Sequence, residues 1–131
     1  MKNYLDSNVI AYAFYINPHQ EACQRTIETC QRTIETGGVI STLTLMEAFH
    51  ALEREGGREV AQDCIRKLFK GNFQIIGIDV NVFFEALKRT PHTKLNMADM
   101  VHYTCAFLTN CSSILTYDKD FNNLDIPRKE P

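Results

Sequence analysis

Asn3-Tyr4-Leu5-Asp6-Ser7-Asn8, followed by Val9-Ile10-Ala11-Tyr12-Ala13-Phe14, is the stretch on which the fold turns. A short apolar run ends on an acid, two residues of the capping type follow, and a second apolar stretch begins at once. This pattern predicts a strand that passes directly into a helix, with Ser7 or Asn8 as the N-cap. The same alternation continues along the chain. Pro18 fits the first turn of a second helix reaching about Thr36, which Gly37-Gly38 closes. Residues 38–42 then read as a strand and residues 43–55 as a helix, with Leu45, Phe49 and Leu52 at helical spacing. Gly56-Gly57 ends that helix, and a further one over residues 58–70 places Val60, Cys64 and Leu68 on one face.

Phe73-Gln74-Ile75-Ile76-Gly77-Ile78 is β-branched and short, and reads as the best interior strand of the chain. Asp79 is placed to cap a helix over residues 80–89, residues 90–94 read as a loop, and Asn96 caps a helix reaching about Asn110. Ser113-Ile114-Leu115-Thr116 is a fourth strand and Leu124-Asp125-Ile126 a short last one. Strands alternating with helices, with few hairpin signals, predict a parallel sheet of four or five strands covered on both faces.

Inside the second helix, Cys23-Gln24-Arg25-Thr26-Ile27-Glu28-Thr29 is repeated without change as residues 30–36. Seven residues are two helical turns less about 20°, so the copy lengthens the helix by about 10 Å and leaves its face nearly unrotated. The duplication is therefore expected to be dispensable for folding.

The chain has 131 residues, of which 44% are hydrophobic, enough to fill one core, and residues 1–131 read as a single domain. No apolar run approaches the roughly 20 residues of a bilayer span, and Asp6 stands where a signal peptide needs apolar residues. A cytoplasmic protein without membrane association is expected. Five cysteines, an odd number with no C-x-x-C pair, argue for free thiols over a disulfide framework or a zinc site. The net charge of −2 supplies no global positive field, so contact with nucleic acid has to be local or helped by metal ions.

In parallel sheets, ligands bind beyond the carboxyl ends of the strands. Asp6 ends the first strand, Asp118 follows the fourth, and Glu47 is expected in the first turn of the helix after the second strand. Asp99 lies in the first turn of the helix that leads into the fourth. Four carboxylates on one rim repel one another unless a cation joins them, and that many oxygen ligands suit Mg²⁺ or Mn²⁺. A plainer role is open to each acid. Thr44-Leu45-Met46-Glu47 has the form of a capping box and Asn96-Met97-Ala98-Asp99 resembles one, while Asp6 and Asp118 could be turn acids. Against this, an unpaired charge is costly beside an interior strand, as Asp6 and Asp118 are expected to be. His50 and His102 each follow an acid by three residues and are expected to stack on Glu47 and Asp99. Lys88, Arg89 and Lys94 belong to a compact basic loop able to steer phosphate toward Asp99, or simply to be solvated. Tyr117 and Phe121 fit core or rim packing better than base stacking.

Four pieces in this order resemble the PIN domain family and, within it, the VapC-type toxins of toxin-antitoxin pairs. They are Tyr4-Leu5-Asp6-Ser7-Asn8-Val9-Ile10, Ser41-Thr42-Leu43-Thr44-Leu45-Met46-Glu47, Met97-Ala98-Asp99-Met100-Val101-His102 and Leu115-Thr116-Tyr117-Asp118-Lys119-Asp120-Phe121. The resemblance spans nearly the whole chain. It implies a three-layer α/β/α fold, divalent-metal hydrolysis of RNA, a homodimer and an antitoxin partner. It carries catalytic and metal-binding roles onto Asp6, Glu47, Asp99 and Asp118, with Asp120 a fifth acid and Asn8 and Thr116 in support. In that scheme Asp6 and Asp99 are the nearest ligands of Mg²⁺ or Mn²⁺, Asp118 completes the shell, and Glu47 holds a water or a second ion. Two alternatives stand beside it: an RNA-processing or DNA-cleaving PIN nuclease without an antitoxin, and a metal-binding or phosphoacceptor signalling module.

Overall fold

The computed structural model describes residues 2–15 and 21–131, and for residues 21–23 the backbone alone. The predicted second-helix start at Pro18 lies outside these residues. Five parallel strands form one sheet: β1 (Asn3–Leu5), β2 (Gly38–Ser41), β3 (Phe73–Ile76), β4 (Ser113–Leu115) and β5 (Arg128–Lys129), in the order β3-β2-β1-β4-β5. The helices are α1 (Ser7–Ala13), α2 (Glu21–Thr36), α3 (Thr42–Gly56), α4 (Arg58–Phe69), α5 (Val80–Arg89) and α6 (Met97–Leu108).

Strand alternation divides the core into two layers, because successive side chains point to opposite faces. Tyr4, Val39 and Ile114, which sit side by side in register, join Val82, Ala86, Met100 and Ala106 beneath α5 and α6. Their neighbours Leu5, Ile40 and Leu115 join Val9, Ile10, Cys30, Ala48 and Leu68 beneath α1 to α4. The three-layer α/β/α sandwich expected from the sequence is the one observed.

Local chemistry explains the boundaries. Gly37 has φ +86 and closes α2, and a Cβ there would stand 2.0 Å from the Asn72 carbonyl oxygen. Asp79 caps α5 as predicted, its side chain accepting from the Val82 amide. Three expectations fail. The N-cap of α1 is Asp6, not Ser7 or Asn8, because the chain turns one residue sooner. The β3 run lies at a sheet edge with partly exposed side chains, since its apolar residues are covered by partners on one side only. The last strand is Arg128–Lys129, not residues 124–126; Ile126 instead buries its side chain in the α5–α6 layer. No helix among the described residues is long and apolar enough to cross a membrane.

Candidate active site

After β1 the chain adds strands on one side, and after α6 it returns to the other side of β1. The carboxyl ends of β1 and β4 thus flank the topological switch point, where an open α/β sheet leaves a crevice. Asp6 sits directly after β1, its amide donating to the Leu115 carbonyl at 3.0 Å. Only 6% of its surface is exposed, and both carboxylate oxygens accept hydrogen bonds. Oδ1 accepts from the Ser7 amide at 2.7 Å. Oδ2 accepts from the Thr116 hydroxyl at 2.7 Å and from Asn8 Nδ2 at 3.4 Å.

Thr116 is a junction. While donating to Asp6, its Oγ1 accepts from Asn8 Nδ2 at 3.2 Å and from the Asp118 amide at 3.0 Å. The two residues expected in supporting roles therefore connect the first acid to the backbone that carries Asp118. Asp118 Oδ1 accepts from the Asp120 amide at 2.9 Å, capping a short 3₁₀ turn and leaving Oδ2 without a partner among the described residues.

The cap of α3 is a box formed by Ser41 and Thr44, so Glu47 is not the capping acid that the sequence allowed. Because α3 starts at Thr42, Glu47 lies in its second turn and not the first. Its Oε1 is 2.5 Å from Nε2 of His102, whose ring is fully buried. The same nitrogen is 3.7 Å from Asp6 Oδ1. Burial, the largest influence, pushes the Glu47 carboxyl up, but the hydrogen bond and charge of His102 and the Ser7 hydroxyl together hold it below its ordinary value. His102 thus pairs with Glu47, 55 residues away, and not with Asp99 as its spacing suggested; His50 is exposed.

Asp99 is at the third position of α6, its amide bonded to the Asn96 cap at 2.8 Å. Its carboxylate accepts no hydrogen bond among the described residues. Burial, then the charges of Asp118, Asp6 and Glu47, push its pKa up to about 6, with His102 opposing. Asp6, Glu47 and Asp118 therefore all lie within electrostatic reach of Asp99. Two donor sets have their atoms within 4.8 Å: Asp6, Glu47 and His102, and Asp99, Asp118 and Asp120. The all-carboxylate set, which holds a carboxyl short of compensating charge, fits a hard divalent cation, whereas in the other set the His102 nitrogen is taken up by Glu47.

The basic loop is less engaged with the acids than expected. Lys88 and Arg89 bind Glu85 at 3.0 and 3.1 Å, and Arg89 lies over the Phe107 ring. Lys94 remains exposed and lines a cleft with Asp120. Phe121 is core, and Tyr117 packs edge-on against Tyr12, as foreseen. Cys30, Cys64, Cys105 and Cys111 are free thiols. The sequence reading missed the buried set behind Glu47: Tyr4, Ser41, Thr44 and His102. Two signals pointed to it. Tyr4 lies in a central strand, where a buried phenol requires a partner, and α6 is apolar on nearly every side, so a histidine within it is enclosed.

Comparison with known proteins agrees with this architecture. Among solved structures, VapC20 of Mycobacterium tuberculosis, a sarcin-ricin loop cleaving toxin, matches with TM-score 0.77 and 14% identity over 99% of this chain and 100% of that one. A toxin-antitoxin complex from Klebsiella pneumoniae matches with TM-score 0.69 and 16% identity, covering 95% and 93% of the two chains. VapBC2 of Rickettsia felis, bound to a DNA fragment from its promoter, gives TM-score 0.64 and 17% identity over 99% and 98%. Among curated proteins no sequence relative is found. The PIN domain family model matches residues 4–127, which include all four acids, β4 and all of β1 but its first residue, and the chain belongs to the PIN domain family.

Proposed function

We propose that this chain is a divalent-metal-dependent endoribonuclease acting as the toxin of a toxin-antitoxin pair. The observation that carries the reading is that burial, and then the charges of Asp118, Asp6 and Glu47, raise the Asp99 carboxyl to about 6, while the donor atoms of these acids gather in two sets. Asp6, Asp99 and Asp118 are the residues to hold Mg²⁺ or Mn²⁺, with Glu47 and Asp120 beside them. When bound, the ion supplies an acidified water and neutralises charge on the phosphate. Thr116 fixes the Asp6 carboxylate through one hydrogen bond and the Asp118 backbone through another. Asn8 braces the same junction, and Asp118 caps the turn that presents Asp120.

A groove of about 570 Å³ runs from Ser7, Asn8 and Glu47 past Tyr12, Tyr15, His50 and Arg54. Aromatic rings and a cation along a groove suit a single strand, which stacks its bases and pairs its phosphates locally. Such a site needs no net positive charge on the protein, in keeping with −2. The antitoxin is inferred from the solved neighbours that are toxin-antitoxin complexes. A homodimer is supported by an exposed apolar face on α5 and α6, comprising Val80, Phe83, Phe84, Leu87, Phe107 and Leu108. These activities belong in the cytoplasm, where the RNA is.

Purified protein incubated with total RNA tests the reading. Cleavage with mapped termini in Mg²⁺ or Mn²⁺, abolished by chelator, is expected; no cleavage with either ion contradicts it. Expression should also slow growth of a host lacking the antitoxin, and Asp6→Ala should relieve this. Equal growth with both proteins at matched levels would favour a nuclease without an antitoxin.

A further inference from the structure

Behind Glu47 lies a chain of polar groups that no metal-binding role accounts for. The Tyr4 hydroxyl is 2.6 Å from Nδ1 of His102, 2.9 Å from Ser41 Oγ and 3.1 Å from Thr44 Oγ1. The other ring nitrogen, Nε2, is 2.5 Å from Glu47 Oε1. All members but Glu47 are fully buried. Ser41 and Thr44 are also the capping box of α3, the helix that carries Glu47. His102 is on α6, three residues after Asp99, and Tyr4 is two residues before Asp6.

We propose that His102 is a positioning residue, which aims the Glu47 carboxylate toward Asp6 through Nε2 and is itself held in register by Tyr4 through Nδ1. An ionised carboxylate only accepts, so Nε2 carries a proton and has no free lone pair for a metal ion. The ring therefore acts through Glu47 and not on the ion. A long glutamate side chain half open to solvent otherwise samples several rotamers, and fixing one end of its carboxylate leaves the other oxygen for the site. The chain also joins β1, α3 and α6, so the elements bearing Asp6, Glu47 and Asp99 share one buried strut. Satisfied on both ring nitrogens, His102 meets the condition for a polar group to be placed in a core.

Amide substitutions separate the two ring contacts, since a glutamine nitrogen reaches about as far as Nε2 and an asparagine nitrogen about as far as Nδ1. The activity arm rests on the nuclease reading. In it, His102→Gln should lose only a few-fold in kcat, whereas His102→Asn should lose about 10- to 100-fold with KM little changed. Glu47→Gln should mask the loss, so that Glu47→Gln with His102→Asn is no worse than Glu47→Gln alone. Tyr4→Phe, which keeps the ring volume, should lose less than His102→Asn. A second arm needs no RNA and no metal. In protein carrying ¹⁵N-histidine, a slowly exchanging ring N–H that is absent in His102→Gln should shift in Glu47→Gln and again in Tyr4→Phe.

Losses that add in the double variant would mean that His102 acts on the ion directly. Asparagine performing as well as glutamine would reduce the ring to core filling. A ring N–H unmoved by Glu47→Gln would overturn the proposal, even if the variants at position 102 fail to fold. If the protein cleaves no RNA with any ion, the nuclease reading fails while the resonance still decides the role of His102.

Discussion

Asp99 concentrates the electrostatic cost of the site. Burial, and then the neighbouring Asp118 and Asp6, push its carboxyl from an ordinary 3.8 up to about 6 in the folded chain. The native state thus holds a proton that the unfolded chain releases near pH 4, and metal-free stability falls as pH rises through that window. Asp99→Asn removes the cost. In chelator the variant should melt higher than wild type at about pH 8, and the difference should vanish near pH 4. Thermal unfolding at the two pH values checks this, and a variant less stable at both would make Asp99 a structural cap. The Asp6 carboxylate is held by hydrogen bonds from Ser7, Asn8 and Thr116. Thr116→Val, which deletes the central hydroxyl of that junction, should cost about 1–3 kcal/mol and most of the activity, read by denaturant unfolding and the RNA assay. The acids were legible in the sequence because each stands at a strand end or near a helix start. The ring between Tyr4 and Glu47 was not, since its partners lie 98 and 55 residues away and no spacing rule joins them.

The second helix closes at Thr36 as its glycines predicted, and its duplicated heptad contributes side chains to the core. A perfect duplication suggested a dispensable insertion, but both copies reach the core: Ile27 from the first and Cys30 from the second are buried. Deleting residues 30–36 removes the buried Cys30 and moves Ile27 along the helix to where Ile34 was, so its buried position loses an isoleucine. The protein should therefore fold cooperatively yet lose about 1–3 kcal/mol, the cost of one buried aliphatic side chain. Denaturant unfolding measures it; a molten or insoluble product would mean the first copy contributes far more. The misplaced strands have a physical cause as well. A β-branched run such as β3 fits an edge with one covered face as well as a sheet centre. The last strand is two charged residues, held through the Ile114 amide on the Pro127 carbonyl, the Thr116 amide on the Lys129 carbonyl and Arg128 Nη1 on the Thr116 carbonyl. Hydrophobic patterning does not reveal such a strand, and charge on an edge is one way a sheet avoids further pairing.

At the scale of the molecule, the sheet order puts the site at one end of the switch point while the α5–α6 face presents Phe84, 56% exposed, and Val80, 83% exposed. If that face joins two copies, Phe84→Glu should convert a dimer to a monomer in sedimentation without lowering the melting temperature of the monomer. A dimer unchanged by the substitution would place the interface elsewhere. The fold and its rim of acids were readable from alternation and strand-end chemistry, whereas the exposed face is known only once the helices are docked. The central claim is that the four acids form one metal-dependent hydrolytic site. It is tested most directly by cleavage of total RNA in Mn²⁺, comparing wild type with Asp99→Asn shown to be folded. Cutting by wild type, lost in chelator and lost in the variant at every Mn²⁺ concentration, is the predicted result. Undiminished Mn²⁺-dependent cutting by folded Asp99→Asn would contradict it.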